Sequence, residues 1–135
     1  MDIFEVLVMM SLIMIAFGVA KLSLRPKRKI TARDLQHIRK HWKKILEIKK
    51  SHPSKAILDA DKLLHFAFTK RGVHGSTGAQ LKAGERYLSN LQNTWNAHKL
   101  RNRIAHELIE IKDGQVSTAL RHFKKAINDL TNAKI

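Results

Sequence analysis

The feature that most constrains this chain is an apolar run at its N-terminus. From Ile3 to Ala20 the sequence is apolar except for Glu5 and Ser11. A helix of about 20 apolar residues crosses a hydrocarbon core roughly 30 Å thick. We therefore predict a transmembrane anchor over residues 1–25, which leaves a remainder of the size usual for one compact domain.

The charges around this run favour a retained anchor over a cleaved signal peptide, the rival interpretation. The small residues Gly18 and Ala20 fit a signal cleavage site, but a secretory signal carries its positive charge before the apolar run. Here the leading residues carry Asp2 and Glu5 with no Lys or Arg, and a basic cluster follows the run: Lys21, Arg25, Lys27, Arg28 and Lys29. By the positive-inside rule we predict a single-pass membrane protein with its N-terminus outside and its C-terminal domain in the cytoplasm. Residues 26–30 form a basic juxtamembrane linker.

Composition narrows the chemistry and the partners of this protein. Lys and Arg number 26 against 11 acidic residues, a net charge of +15, which favours contact with nucleic acid or an anionic membrane surface. The chain has no cysteine, which excludes disulfides, thiolate catalysis and cysteine zinc sites. His37 and His41 are four residues apart but have no third ligand, so no metal site and no cofactor are predicted. The glycine-rich stretch 72–78 lacks the Gly-Lys-Ser/Thr ending of a phosphate-binding loop, so no phosphate-binding loop is predicted there.

Residues 31–135 are predicted to be all-α. Thr31 is a helix N-cap paired with Asp34, and the first helix extends to about residue 50. Pro53 starts a second helix that ends before Gly72. A short helix is expected at about residues 80–88, another at about 91–108 and a last one at about 116–132. The predicted fold is a four- to five-helix bundle with short connections, preceded by one transmembrane helix.

The predicted helix at 91–108 has three distinct faces at 100° per residue. One faces the core and carries Ala97, Leu100, Ile104 and Leu108. The second is exposed to water and carries Lys99, Arg103 and Glu107. The third carries Trp95, His98, Asn102 and His106, with Arg101 beside it. Two imidazoles, an amide and a guanidinium on one strip are expected to form a functional site or to satisfy buried polar groups.

The segment Arg101-Asn102-Arg103-Ile104-Ala105-His106 resembles the Arg, polar residue, short spacer, His motif of the HEPN superfamily of small helical-bundle proteins. The resemblance covers residues 31–135 and includes the late position of the motif helix, although the anchor departs from the usual soluble arrangement. In catalytic members the motif arginine and histidine meet across a symmetric dimer and cleave RNA without metal. The resemblance implies a homodimer in which His106 moves protons, Arg101 stabilises charge on the phosphorane and Asn102 orients one of them.

Three further residues are predicted to support this site. His98 is expected to line the same cleft or to pack on Trp95. Asp61, on the second helix, is the best candidate for a carboxylate that orients Arg101 or His106, a plain salt bridge being the alternative. Glu107 flanks the motif. Two functions remain open: a membrane-anchored, metal-independent endoribonuclease, and a noncatalytic membrane-tethered adaptor that binds RNA, a nucleotide or a protein partner.

Overall fold

The computed structural model describes residues 1–23 and 28–135, with side chains for all of these except 21–23. Within these ranges the chain is all helical and contains no strand. Its elements are α1 (Ile3–Ser23), α2 (Ala32–Ile48), α3 (Pro53–Lys70), α4 (Thr77–Ala83), a 3-10 helix (Glu85–Tyr87), α5 (Leu91–His106) and α6 (Asp113–Thr131). The predicted all-α class is confirmed.

α1 is an apolar helix near the N-terminus. The stretch Ile3–Ala20 is long and apolar enough to cross a membrane by length and composition, and none of it is buried within the protein. The predicted end of the anchor at residue 25 lies outside the described residues, as do Arg25 and Lys27 of the basic cluster.

The predicted starts of α2 and α3 are confirmed. The Thr31 hydroxyl accepts a hydrogen bond from the Asp34 backbone N–H at 3.1 Å, and the Asp34 carboxylate accepts one from the Thr31 N–H at 3.1 Å. This capping box supplies partners for amide groups that a helix start leaves unpaired. Pro53 is the first residue of α3, and Gly72 after it has a φ of 90°, a conformation that favours glycine.

Helices α4 and α6 each begin three residues earlier than predicted, because local caps extend them. The Ser76 hydroxyl accepts from the Ala79 N–H at 3.3 Å and starts α4 at Thr77. The Gln115 side chain accepts from the Lys112 N–H at 3.1 Å, and α6 starts at Asp113. A side chain that satisfies an orphan amide allows one more helical turn.

The prediction that Leu108 faces the core is wrong. α5 ends at His106 because Glu107 is extended, with φ −125° and ψ 145°. Beyond that point the 100° periodicity no longer applies, and Leu108 is fully exposed. In α2, the helical spacing of the buried residues Ile38, Trp42 and Ile45 would also place Leu46 in the core, but Leu46 is 43% exposed.

The core is built around α3, which packs against α2, α5 and α6. Phe68 of α3 and Phe123 of α6 are completely buried, and Trp42 of α2 is 4% exposed. α5 packs on both α3 and α6, so the helix that carries the predicted motif rests on the central helix of the core.

The start of α5 is tied to α6 through Asp129. Its carboxylate accepts hydrogen bonds from the Ser89 N–H at 2.8 Å and the Ser89 hydroxyl at 2.6 Å, and it also pairs with Lys125. Burial raises the pKa of Asp129, but the bonds from Lys125 and Ser89 outweigh this effect and lower the pKa below its ordinary value of 3.8. The ionised form is therefore stabilised by folding.

We expect Asp129→Asn to reduce the free energy of unfolding by about 1–3 kcal/mol at pH 7. A lowered folded pKa contributes stability that is present above pH 3.8 and lost as the pH falls through the folded value, so the deficit should shrink below pH 3.8. Urea unfolding at pH 7 and pH 3, monitored by circular dichroism, measures both. The control is Asp59→Asn, which removes an exposed pair with Lys55 worth less than about 0.5 kcal/mol. An equal effect of the two variants at pH 7 would contradict this account.

Candidate functional site

Four polar side chains from α3 and α5 form a closed ring of contacts. The Asp61 carboxylate accepts a hydrogen bond from His98 Nδ1 at 2.8 Å. With the proton on Nδ1, the neutral imidazole accepts at Nε2 from the Asn102 amide at 3.3 Å. The Asn102 carbonyl oxygen in turn accepts from Arg101 Nη1 at 3.1 Å. We call Asp61, His98, Asn102 and Arg101 the polar ring.

Arg101 closes the polar ring through its charge. Its Nε atom lies 3.3 Å from Asp61 Oδ2, within ion-pair distance, but no hydrogen bond from this N–H is formed. The contact is therefore an ion pair without an aligned donor. Because the Asp61 side chain is only 4% exposed, the positive charge of Arg101 compensates for the burial of the carboxylate.

Helix spacing and packing explain how the polar ring is assembled. His98 and Asn102 are one turn apart on α5, so their side chains are neighbours. His98 is 8% exposed and meets the Trp95 ring edge-on, with the ring centroids 5.8 Å apart. Gly78 of α4 comes close to the same place, since a Cβ there would lie 3.7 Å from Trp95 Cη2 and 3.9 Å from His98 Nε2. The predicted contact of His98 with Trp95 is confirmed.

Part of the polar ring remains accessible to a ligand. The Arg101 side chain is 28% exposed, and Asn102 is half-buried. A guanidinium has five N–H donors, and the polar ring occupies Nη1 with a hydrogen bond and Nε with an ion pair. The contacts with Asn102 and Asp61 thus fix the position of the Arg101 side chain, and its remaining N–H donors are available to an anion.

His106 is exposed at the end of α5, and among the described residues it forms no hydrogen bond with the polar ring. It follows Arg101 by five residues, which is about 7.5 Å along the helix axis and about 140° around it. Among the described residues no hydrogen bond or ion pair joins His106 to Arg101. The two residues that the motif resemblance pairs are thus not brought together within one chain.

Glu107 does not join the polar ring either. Its carboxylate lies 3.4 Å from Arg103 Nε, on the water-exposed side of α5. Asp61 contacts Arg101, one of the two residues that it was predicted to orient, and this ion pair also fits the alternative of a plain salt bridge. It contacts His98 as well, whereas Asp59 two residues earlier pairs with Lys55 and Lys62.

A cavity of about 540 Å³ lies between α5 and α6, and neither His106 nor any residue of the polar ring is among its lining residues. Its lining combines an apolar floor with basic and polar groups: Asn96, Ala97, Lys99, Leu100, Arg103, Gly114, Gln115, Thr118, Ala119 and His122. Burial, aided by the charge of Arg121, lowers the pKa of His122 below its ordinary value, although a hydrogen bond with the Asn93 backbone opposes the shift. His122 was not predicted from the sequence, where its only signal is that it directly precedes the buried Phe123 on α6.

No group of three or more metal-ligating side chains occurs among the described residues. Comparison with protein-family models, with curated proteins and with solved structures gives no match to this chain.

Proposed function

We propose that this protein is a membrane-anchored, HEPN-like domain that cleaves RNA without a metal, at a composite site formed by two copies of the chain. α1 is the anchor, with the N-terminus outside and residues 31–135 in the cytoplasm. The observation that supports the proposal is that Arg101 is fixed by contacts with Asp61 and Asn102, while His106 on the same helix is exposed.

The proposal includes a second copy because no hydrogen bond or ion pair within the described part of one chain joins these two groups. Acid–base catalysis requires the imidazole to come within about 3 Å of the proton that it moves. In the proposed dimer His106 of one chain meets Arg101 of the other, and because an isologous contact is reciprocal, the dimer contains two such sites. Leu108, fully exposed two residues after His106, offers apolar surface that such a contact would cover.

The reaction uses the 2′-hydroxyl of RNA as the nucleophile. His106 takes the 2′-hydroxyl proton, the oxygen attacks the adjacent phosphorus, and the bond from phosphorus to the 5′-oxygen breaks. The protonated imidazole returns a proton to the 5′-oxygen, and the products are a 2′,3′-cyclic phosphate and a 5′-hydroxyl end. Arg101 stabilises the negative charge of the phosphorane, and Asn102 keeps its guanidinium in place.

The surface next to His106 suits the RNA backbone. Lys99 and Arg103 lie about 20° and 60° around α5 from His106. Both line the cavity between α5 and α6 and are exposed. Phosphates on either side of the scissile bond would meet these cations, and the whole chain carries a net charge of +15.

The test is cleavage of single-stranded RNA by the full chain in detergent micelles with EDTA present. We expect cleavage into fragments with 2′,3′-cyclic phosphate ends, and none of an RNA whose 2′-hydroxyls are replaced by hydrogen. Mass spectrometry of the products identifies the ends. Cleavage that needs added Mg²⁺, or that proceeds on the deoxy substrate, would contradict the proposal.

A noncatalytic adaptor is the second candidate, favoured by the polar ring itself. Asp61, His98, Asn102 and Arg101 satisfy one another, which is what a structural network requires. In that case the full chain would bind RNA in a salt-sensitive way without any turnover. Binding measured by fluorescence anisotropy in the same micelles, together with intact RNA on a gel, would select this function over the first.

A further inference from the structure

The outward face of α2 is strongly basic. It carries the exposed side chains of Arg33, Arg39, Lys40, Lys43 and Lys44, and Glu47 is the one exposed acidic residue of this helix. Lys40 and Lys44 lie about 160° around the helix from the buried Trp42, and Lys44 also borders the cleft between α2 and α3. The second carboxylate of α2, Asp34, is half-buried and pairs with Lys70 at 3.2 Å. We call these five cations the α2 basic face.

The α2 basic face is connected to α1 by a short stretch of chain. Only residues 24–31 separate the end of α1 at Ser23 from the start of α2 at Ala32. Eight residues span at most about 28 Å when fully extended. If α1 is in a bilayer, as the proposed function has it, α2 is held within this distance of the membrane surface, and a short tether makes the local concentration of lipid headgroups high.

The α2 basic face and the candidate site lie on opposite sides of α3. Asp59, Lys62, Leu63 and Phe66 of α3 line the cleft with α2, and Asp61 contacts His98 of α5. At 100° per residue Asp61 lies about 160° from Asp59 and from Leu63. A surface that covers the α2 basic face therefore leaves the polar ring and His106 uncovered.

We propose that the α2 basic face docks on an anionic phospholipid surface and thereby holds the candidate site of α5 away from the bilayer. The cations of the face match a layer of lipid phosphates in charge. Each Lys or Arg close to an anionic membrane raises the docked population about five-fold, so removing three lysines is expected to lower it on the order of 100-fold. Docking in this orientation leaves α5 open to a large soluble ligand such as RNA.

The absence of native cysteine allows labelling at single positions of the full chain. Gln36→Cys places a fluorophore on the outward side of α2, and Gln92→Cys places one on α5 as the matched position; both glutamines are exposed. Each labelled protein is reconstituted in nanodiscs of phosphatidylcholine alone or with phosphatidylserine, both containing a headgroup nitroxide lipid. We expect strong quenching at position 36 in the anionic discs only, and weak quenching at position 92 in both.

A charge variant decides whether the lysines cause this docking. Lys40→Gln, Lys43→Gln and Lys44→Gln together should remove the quenching at position 36, as should 0.5 M salt, because exposed charges are screened. Removal of three exposed cations elsewhere, by Lys82→Gln, Arg86→Gln and Lys112→Gln, should leave it unchanged. Equal loss in both triple variants would overturn the proposal.

The outcomes separate this proposal from the anchor on which it rests. Failure of the chain to co-purify with discs of either composition means that α1 does not insert, which contradicts the proposed anchor. Stable insertion with no difference between the two lipid compositions at position 36 overturns the docking alone. A response of the label at position 36 to single-stranded RNA, without a response to phosphatidylserine, would make the α2 basic face an RNA surface instead.

Discussion

Replacing His106 with alanine is expected to lower the rate of RNA cleavage by about 10²–10⁴-fold, the usual contribution of a general acid or base. The fold should be unaffected, since the side chain is exposed and forms no hydrogen bond among the described residues. The free energy of unfolding should change by less than about 0.5 kcal/mol. Initial rates in EDTA, with thermal unfolding of the same samples, provide both quantities.

The matched control for this variant is His74→Ala. His74 is also an exposed histidine, but it lies in the connection between α3 and α4. Its replacement should leave the cleavage rate unchanged. Equal rates for wild type and the His106 variant would remove His106 from the mechanism, whatever the cause of the cleavage.

Replacing Asp61 with alanine is expected to lower the free energy of unfolding by about 2–4 kcal/mol, a larger loss than that expected for Asp129→Asn. The substitution leaves the buried His98 Nδ1 proton without its acceptor and Arg101 without its counter-charge. For a domain of this size, 1 kcal/mol corresponds to roughly 4–8 °C in the melting temperature. Thermal unfolding of the full chain in detergent, monitored by circular dichroism, measures the change.

A double-mutant cycle separates the polar ring from the general effect of truncating a buried residue. Asp61→Ala and His98→Ala should be coupled by about 1–3 kcal/mol, because either change alone breaks the same hydrogen bond. Asp59→Ala, in the cleft between α3 and α2, should cost less than about 1 kcal/mol and should be additive with His98→Ala. Additivity of the Asp61 and His98 changes would mean that the polar ring does not act as a unit.

Local signals in the sequence predicted the elements of the fold well. The capping pair Thr31 and Asp34 marks the start of α2, and Pro53 marks the start of α3. Both signals act within three or four residues, so these two starts could be predicted. The end of α5 could not, because no glycine or proline directly follows His106 and the apolar spacing continues through Leu108. The extended backbone of Glu107, which ends the helix, has no local signal in the sequence.

The candidate site was predictable only along α5. His98 and Asn102 are one turn apart, so their adjacency follows from helix geometry. The hydrogen bond from His98 to Asp61 joins residues 37 positions apart and requires the packing of α3 against α5. Helix spacing puts Asp59 and Asp61 on different sides of α3, but it does not indicate which of the two residues faces α5. The proposed contact of His106 with a second copy could not be derived from helix spacing, which describes one chain only.

The most direct test of the composite site is to mix two inactive variants, Arg101→Ala and His106→Ala, and to measure RNA cleavage in EDTA. Random reassortment makes half of the dimers mixed, each with one intact pair of Arg101 and His106, so we predict recovery of about a quarter of the wild-type rate. Arg101→Lys replaces Arg101→Ala if the alanine variant does not fold, since lysine keeps the charge but lacks the planar fork. Mixed dimers, verified by differential tags, that show no recovery would contradict a site shared between two chains.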